Sequence, residues 1–223
     1  MPTESGKKLA VFYHCCLTNP EPAIVLDHTI PLMQSQMDAL VRSGLADAAD
    51  EIVIGSSNGE ANGMVARMLA PAKATVVDHS LDTVAELPTL ALLQQWCREN
   101  PDGRVVYFHT KSAMYPGNAA WKAWRLCMES VILWDWKSCC RDLDQGFDCA
   151  GPHWLSPAVY PMIGSVGYFG GNFWHSKARH INRLNPIDVH ANRYESEVWI
   201  GKIKQKIAVR PYQNHWPMSG CMA

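Results

Sequence analysis

Residues 104–111 read Arg-Val-Val-Tyr-Phe-His-Thr-Lys, and this stretch decides the fold. A run of β-branched and aromatic residues favours a strand, and it stops on His109, Thr110 and Lys111. In an open α/β sheet, ligands bind in the crevice beyond the carboxyl ends of the strands. The sequence therefore predicts a strand that presents a cation at the lip of a crevice. A strand that runs into a solvated loop is the alternative interpretation.

The sequence before this strand alternates between strand and helix patterns. Three segments read as further strands: Leu9–Tyr13, Glu51–Gly55 and Ala74–Val77. Apolar residues at helical spacing separate them: Ile30, Met33, Met37, Leu40 and Val41, then residues 64–69, then Leu90, Leu93, Trp96 and Cys97. Four strands alternating with helices predict an α/β fold with a mostly parallel central sheet flanked by helices.

Right-handed crossovers place the carboxyl ends of parallel strands at one edge of the sheet. Four strand ends should therefore meet: Tyr13-His14, residues 56–58, Asp78-His79 and residues 109–111. Tyr13 and His14 are the first candidates to contact a base or ribose, and Asn58 and Asp78 follow. Polar residues at strand ends are often only satisfied structural groups, which remains the alternative.

The second half of the chain has a different character. A long helical segment is predicted from Asn118 to about Asp144, and its tryptophans favour core positions over a ligand surface. Phe147–Gly151 reads as a strand, and a loop-rich stretch follows from Pro152 to Gly171. We interpret residues 1–223 as one domain with a nucleotide-binding half (about 8–115) and a loop-richer half (about 116–223).

Composition excludes several classes of protein. The net charge of -1 provides no basic field for nucleic acid. No apolar run approaches the roughly 20 residues of a transmembrane helix, and no secretory signal is evident. The eight cysteines form no C-x-x-C pair, which argues against structural zinc. Free thiols in a reducing cytoplasm are the expectation.

Three motifs in order resemble a known group of enzymes: residues 105–111 (VVYFHTK), residues 171–174 (GNFW) and residues 193–201 (RYESEVWIG). Together they resemble GT-A-type glycosyltransferases of bacterial polysaccharide clusters, a group similar to a chlorovirus domain that glycosylates the viral capsid protein. The resemblance spans residues 11 to about 201. It implies a single GT-A-like, Rossmann-like domain whose second half is the acceptor and catalytic half.

The resemblance also implies the chemistry. The activity would be transfer of a sugar from a nucleotide diphosphate donor, UDP-linked by analogy, to a hydroxyl of a glycan or other glycoconjugate, with inversion. GT-A enzymes commonly hold Mn²⁺ or Mg²⁺ with an Asp-x-Asp motif where this chain has His109-Thr110-Lys111, a triplet without carboxylates. Either Lys111 neutralises the diphosphate directly, or His109 binds a metal with a carboxylate such as Asp78. We favour Lys111.

The catalytic base is expected in the third motif. Glu195 and Glu197 are two residues apart, so on a helix only one should face the cleft. Glu197 precedes Val198 and Trp199, in more apolar surroundings, and is the first choice with Glu195 second. The alternative is a carboxylate that complements the helix dipole.

The second motif supplies candidate substrate contacts. Residues 170–175 are expected to form a corner from strand to helix, with Asn172 offering amide groups and Trp174 an apolar face for a pyranose ring. Asn172 as a helix cap and Trp174 in the core are the alternatives.

Two other classes of protein compete with this interpretation. One is a cysteine-dependent enzyme that uses Cys15 or Cys16 beside His14, although neighbours along a strand face opposite sides. The other is a non-catalytic module that binds carbohydrate or protein. An oxidoreductase of the dinucleotide-binding type is disfavoured, because no G-x-G-x-x-G follows the first strand.

Overall fold

The structure is a computed structural model that describes residues 6–16, 25–57, 60–80, 83, 85–111, 113, 115–157 and 166–211. Its strands are β1 (Leu9–Cys15), β2 (Glu51–Ser56), β3 (Thr75–Asp78), β4 (Arg104–His109), β5 (Cys149–Gly151), β6 (Trp154–Leu155), β7 (Tyr168–Phe169), β8 (Trp174–Lys177) and β9 (Ile207–Val209). Its α-helices are α1 (Ile30–Arg42), α2 (Leu45–Ala48), α3 (Glu60–Leu69), α4 (Leu87–Glu99), α5 (Ala119–Glu129), α6 (Trp136–Asp144), α7 (Ala178–Ile181) and α8 (Glu195–Val198). Among these, no helix is both long and apolar enough to cross a membrane.

Seven strands of the described chain form the central sheet, in the order β3-β2-β1-β4-β8-β5-β9. β1 pairs in parallel with β2 and β4, β2 with β3, and β5 with β9. β8 pairs antiparallel with both of its neighbours. The predicted fold class, α/β with a mostly parallel sheet flanked by helices, is confirmed.

The sheet is covered on both faces because side chains alternate along each strand. Val11, Tyr13 and Cys15 of β1 face a core formed with α1, α2 and the α5–α6 region. Ala10 and Phe12 face the opposite core, formed with α4, α7 and the residues after α8. His14 follows the second alternation, which directs it toward α4 rather than α1.

The long helix predicted from Asn118 to Asp144 is interrupted. Asn118 caps α5, because its Oδ1 accepts hydrogen bonds from the backbone N–H groups of Ala120 (3.1 Å) and Trp121 (3.2 Å). A π-helical segment, Ser130–Trp134, separates α5 from α6. Helical periodicity therefore identified the apolar face but not the break.

Residues 170–175 do not form the predicted corner from strand to helix. Gly170 to Asn172 form a turn, Asn172 adopts a positive φ of 57°, and the chain enters strand β8 at Trp174. Asparagine tolerates the left-handed region better than most residues. Because β8 runs opposite to its neighbours, this turn lies at the carboxyl ends of β1 and β4.

The strands of the central sheet contain buried histidines. The side chain of His175 in β8 is fully buried, and its Nε2 is 3.0 Å from the carbonyl oxygen of Ile132. Its Nδ1 has no hydrogen-bond partner within the described structure. Burial lowers the pKa of His175 to about 4, although the carbonyl of Ile132 acts in the opposite direction. The ring is therefore neutral near pH 7.

The cysteines only partly follow the expectation of free thiols. Within the described part of the chain, six are free: Cys15, Cys16, Cys97, Cys139, Cys140 and Cys149. Cys127 is disulfide-bonded, contrary to that expectation.

Candidate functional site

The carboxyl edge of the sheet, where β1, β2, β3 and β4 end, concentrates buried polar side chains. One set comprises His14, Ser57, His79 and Thr89, and we call it the histidine–threonine cluster. Nδ1 of His14 and Nε2 of His79 each lie 2.8 Å from Oγ1 of Thr89. Nε2 of His14 lies 3.3 Å from Oγ of Ser57. The strand ends thus meet as the sequence predicted.

The histidine–threonine cluster carries no positive charge near pH 7. Burial lowers the pKa of His14 to about 3, because the effect of burial exceeds the opposing influence of Glu86. Burial also lowers the pKa of His79. Both ring nitrogens of His14 already bond within the protein, so His14 fixes the geometry of the edge; contact with a base or ribose remains a prediction.

A second set centres on Glu86 and includes Tyr107, His109 and Asn172; we call it the Glu86 cluster. Oε2 of Glu86 accepts hydrogen bonds from Asn172 Nδ2 (2.7 Å) and Tyr107 OH (3.2 Å). Oε1 lies 3.2 Å from Nδ1 of His109. A carboxylate that accepts several hydrogen bonds is strongly fixed in position.

The Glu86 carboxylate is ionised despite its burial. Burial raises the pKa of Glu86. A larger opposite effect comes from His109, His14, the hydrogen bond from Asn172 and the Lys111 ammonium, so the net shift of the pKa is downward. Glu86 also lies immediately before α4, where the helix dipole favours negative charge. The sequence interpretation missed this residue. Its only local signal was an acidic residue directly before Leu87-Pro88, a pattern typical of a helix start.

His109 is held between two acceptors. Its Nδ1 faces Glu86, and its Nε2 is 3.0 Å from the carbonyl oxygen of Gly171. Burial lowers the pKa of His109, while Glu86 acts to raise it. The two acceptors favour a proton on each ring nitrogen, whereas burial favours the neutral ring.

Lys111 lies at the mouth of this edge. Its Nζ is 4.8 Å from the ring centre of Trp124 and 5.3 Å from that of Trp121, so the ammonium contacts two indole faces. Burial lowers its pKa and Arg193 adds to that effect, while Glu197 and Glu86 raise it. Lys111 is therefore a half-buried amine with two carboxylates and a guanidinium in its electrostatic neighbourhood.

The two candidate bases on α8 have different surroundings. Glu195 forms an ion pair with Lys202 at the surface. Glu197 acts electrostatically on both His109 and Lys111. Asn172 fixes this helix to the edge, because its Nδ2 also donates to the backbone carbonyl of Ser196 at 3.1 Å. Of the pair, Glu197 is the one with an electrostatic influence on the edge, and its role as the base remains a prediction.

Asn172 and Trp174 differ from their predicted roles. Asn172 is almost fully buried, and its Oδ1 accepts a hydrogen bond from Nε1 of Trp174 at 2.8 Å. Trp174 is 0% exposed and packs on Tyr107 with ring centres 5.2 Å apart. The indole of Trp174 therefore has no face available to a sugar, and Asn172 acts by joining Glu86 to α8.

Tyr13 also points away from the edge. It is fully buried in the core that contacts α1, and its OH donates to Oε1 of Gln36 at 2.8 Å. Gln36 continues this network, because its Nε2 donates to Glu129 at 2.9 Å. Strand alternation explains the difference, since Tyr13 and His14 face opposite cores. Tyr13 is not placed to contact a base or ribose.

The remaining predicted residues have structural partners. Oγ1 of Thr110 accepts the backbone N–H of Cys16 at 2.9 Å, which joins the ends of β1 and β4. Asp78 pairs with Arg67. Asn58 lies outside the described residues.

These contacts do not suit the predicted metal site. His109 uses both ring nitrogens within the protein, and Asp78 is neutralised by Arg67. Within the ranges that the structure describes, no group of three or more histidine, cysteine, aspartate or glutamate side chains is arranged to hold a cation. The donor set therefore does not fit Mn²⁺ or Mg²⁺.

The thiol of Cys15 points away from His14. Its Sγ donates to Sδ of Met33 at 3.3 Å, on the face opposite His14. Burial raises the pKa of the Cys15 thiol. A buried protonated thiol is a poor nucleophile, so these contacts do not favour a cysteine-dependent mechanism at Cys15.

A cavity of about 190 Å³ lies at the other end of the sheet. It is lined by residues that include Lys7, Arg104, Asp144, Lys177 and Arg179. Arg104 pairs with Asp144 at 2.5 Å, so part of its positive charge is balanced. We place the candidate site at the carboxyl edge instead, because the buried titratable groups and the candidate base meet there.

A sequence family described as a domain of unknown function, DUF8361, matches residues 12–222. No curated protein matches the sequence.

Several solved structures are similar in fold. One, from Desulfovibrio desulfuricans G20, is described as a nucleotide-diphospho-sugar transferase; it has a TM-score of 0.48 and 12% identity, over 92% of this chain and 80% of that one. CMP:2-keto-3-deoxy-manno-octonic acid synthetase in complex with CTP has a TM-score of 0.41 and 9% identity, over 68% and 55%. 4-Diphosphocytidyl-2C-methyl-D-erythritol synthase has a TM-score of 0.41 and 10% identity, over 92% and 89%. Likenesses of this extent assign no activity to the chain.

Proposed function

The chain belongs to the DUF8361 family, and from the geometry of its carboxyl edge we propose that it is a glycosyltransferase. The donor is a nucleotide diphosphate-sugar, UDP-linked by analogy, and the acceptor is a hydroxyl of a glycan or other glycoconjugate. The observation that carries the proposal is the arrangement of Lys111 and Glu197. Lys111 follows β4 at the edge where an open α/β sheet binds ligands, and Asn172 joins the helix of Glu197 to the same edge.

Glu197 is the proposed general base. It removes the proton from the acceptor hydroxyl as the oxygen attacks the anomeric carbon of the donor sugar. The bond between that carbon and the diphosphate oxygen breaks, and its electron pair stays on the leaving diphosphate. A single displacement of this kind inverts the anomeric configuration.

Lys111 is the proposed partner of the leaving diphosphate. An ammonium is a compact positive charge with three donors, which suits phosphate oxygens. Its half-buried position strengthens that interaction, since screening by water is reduced. A fixed cation that balances charge developing on a leaving group stabilises the transition state.

The Glu86 cluster is proposed to position both groups. Asn172 connects the Glu86 carboxylate to the backbone of α8, one residue before Glu197. Glu86 also lies in the electrostatic surroundings of Lys111. The helix of the base is thereby joined to a buried carboxylate that also acts electrostatically on the cation, which supports a preorganised site.

The experiment compares Glu197→Gln with Glu195→Gln as its matched control. Nucleotide release from UDP-, GDP- and dTDP-sugars, with and without added glycan, is measured alongside donor binding by thermal shift. Loss of a general base should lower the rate by about 10²- to 10⁴-fold without changing donor binding. Glu195→Gln, which only removes a surface ion pair, should retain its rate.

Two outcomes contradict the proposal. A near-normal rate in Glu197→Gln would remove that residue from the mechanism. Neither binding nor turnover of any of these nucleotide sugars by the unaltered protein would instead favour a non-catalytic binding module.

A further inference from the structure

Three aromatic side chains form a continuous row beside Lys111: Tyr115, Trp121 and Trp124. The rings of Tyr115 and Trp121 stack with centres 4.8 Å apart at an angle of 11°, and those of Trp121 and Trp124 are 5.2 Å apart. Trp121 and Trp124 are three residues apart on α5, so they project from the same side of the helix. Tyr115 is 52% exposed.

The aromatic row is only partly explained by core packing. Trp124 packs against the core on the α1 face of the sheet, but Trp121 stacks on the exposed ring of Tyr115. Tyr115 is exposed and Trp121 is half-buried, and exposed aromatic patches mark ligand or partner surfaces. The sequence interpretation favoured core positions for these tryptophans, and the structure leaves Trp121 half-buried beside Lys111.

The position of the row favours one kind of ligand. Lys111 contacts both indoles and follows directly on β4, so the row lies at the edge that carries the proposed site. A methyl group added at Gly171, before β8, would lie 3.3 Å from Trp124, which places the row on the β8 side of β4. The histidine–threonine cluster instead joins the ends of β1 and β2 to the start of α4. The row and the histidine–threonine cluster thus lie on different sides of the end of β4.

Resting on the function proposed above, we propose that Tyr115 and Trp121 bind the acceptor as a sugar ring. One face of a pyranose presents C–H groups that pack on an aromatic ring, while its hydroxyls remain free for hydrogen bonds. A ring bound there would direct a hydroxyl toward Glu197. The substrate class is therefore a carbohydrate acceptor rather than a protein side chain or a lipid hydroxyl.

Binding of methyl hexosides to the full chain tests this proposal without requiring turnover. Titrations with methyl glucoside, galactoside, mannoside and N-acetylglucosaminide are followed by intrinsic tryptophan fluorescence and by calorimetry. Trp121→Ala should weaken binding by about tenfold, as expected for truncation of an aromatic anchor. Tyr115→Ala, at an exposed position where folding is not at risk, should weaken binding in the same direction.

The matched control is Trp134→Ala. Trp134 is 41% exposed and lies under the guanidinium of Arg42, away from the row. It should bind the hexosides as the unaltered protein does. UDP binding should be unchanged in Tyr115→Ala and Trp134→Ala.

Three results would overturn the proposal. They are no hexoside binding by the unaltered protein, unchanged hexoside binding in both Trp121→Ala and Tyr115→Ala, and loss of UDP binding in Tyr115→Ala, which would make the row a stacking surface for the base. Hexoside binding without any turnover of nucleotide sugars would contradict the proposed glycosyl transfer alone. The two failures are therefore distinguishable.

Discussion

The protein should lose folding stability in mild acid because of its buried histidines, and His175 allows the effect to be tested at a single residue. Its pKa is lowered by burial to about 4 in the folded chain, against an ordinary value of 6.5. A lowered histidine pKa means that the folded state favours the neutral ring. The contribution of the neutral His175 ring to folding stability is therefore fully present above about pH 6.5, and it is lost as the pH falls toward the pKa of the folded state.

The magnitude follows from the difference in proton binding. At about pH 5.0 an unfolded histidine is mostly protonated, whereas the folded His175 ring is mostly neutral. One pKa unit corresponds to about 1.4 kcal/mol, so the interval from 6.5 down to 5.0 costs about 2 kcal/mol. His14, whose pKa is about 3 for the same reason, should contribute a similar loss.

His175→Gln tests this reasoning. Glutamine cannot titrate in this range, and its amide N–H can still donate to the carbonyl of Ile132. Urea unfolding at about pH 7.5 and about pH 5.0 should show a fall in unfolding free energy that is about 2 kcal/mol smaller in the variant. His190→Gln, at an exposed position, is the control. An equal fall in His175→Gln and the unaltered protein would refute the argument.

Further predictions concern the site. Lys111→Met keeps an unbranched chain against the indoles but removes the charge, so binding of UDP, measured by thermal shift, should weaken about 10- to 100-fold. Sugar transfer by the unaltered protein should survive EDTA; loss of transfer with EDTA that Mn²⁺ restores would show that a metal ion binds the diphosphate. Glu86→Ala should lower the unfolding free energy by about 3–5 kcal/mol, because it leaves three buried partners without their acceptor. Tyr107→Phe, which removes one of those hydrogen bonds, should cost about 1 kcal/mol in the same urea assay; equal losses in the two variants would contradict a central role for the carboxylate.

The strand ends were predictable because their signal is local. An apolar run followed by polar residues identified the ends of β1 and β4, and the rule for parallel strands then brought His14, His109 and Lys111 to one edge. The same pattern could not say which face each side chain takes. One residue of alternation separates His14, at the edge, from Tyr13, in the opposite core.

The centre of the site was not predictable from a pattern. Glu86 stands in a connection without apolar periodicity, and its partners Tyr107 and Asn172 are 21 and 86 residues away. Only the folded chain brings them together. The role of Trp174 was not predictable either, because a tryptophan after a glycine turn is as typical of a sugar site as of a buried strand. Only the direction of β8 in the fold shows that Trp174 lies in the core.

Because β8 runs antiparallel to its neighbours, the connections before and after it lie at opposite edges of the sheet. Changes of sequence in these two connections should therefore have different effects in relatives of this chain. The chain enters β8 at the reactive edge, through Gly170 to Asn172, and leaves it at the far edge, where the backbone N–H of Ala178 donates to the carbonyl of Gly103 at 2.9 Å. Insertions or deletions directly before this strand therefore reshape the edge that carries the proposed acceptor surface. Those directly after Lys177, before α7, instead alter the opposite edge, so the proposed acceptor surface can change through one connecting loop while the strands stay as they are.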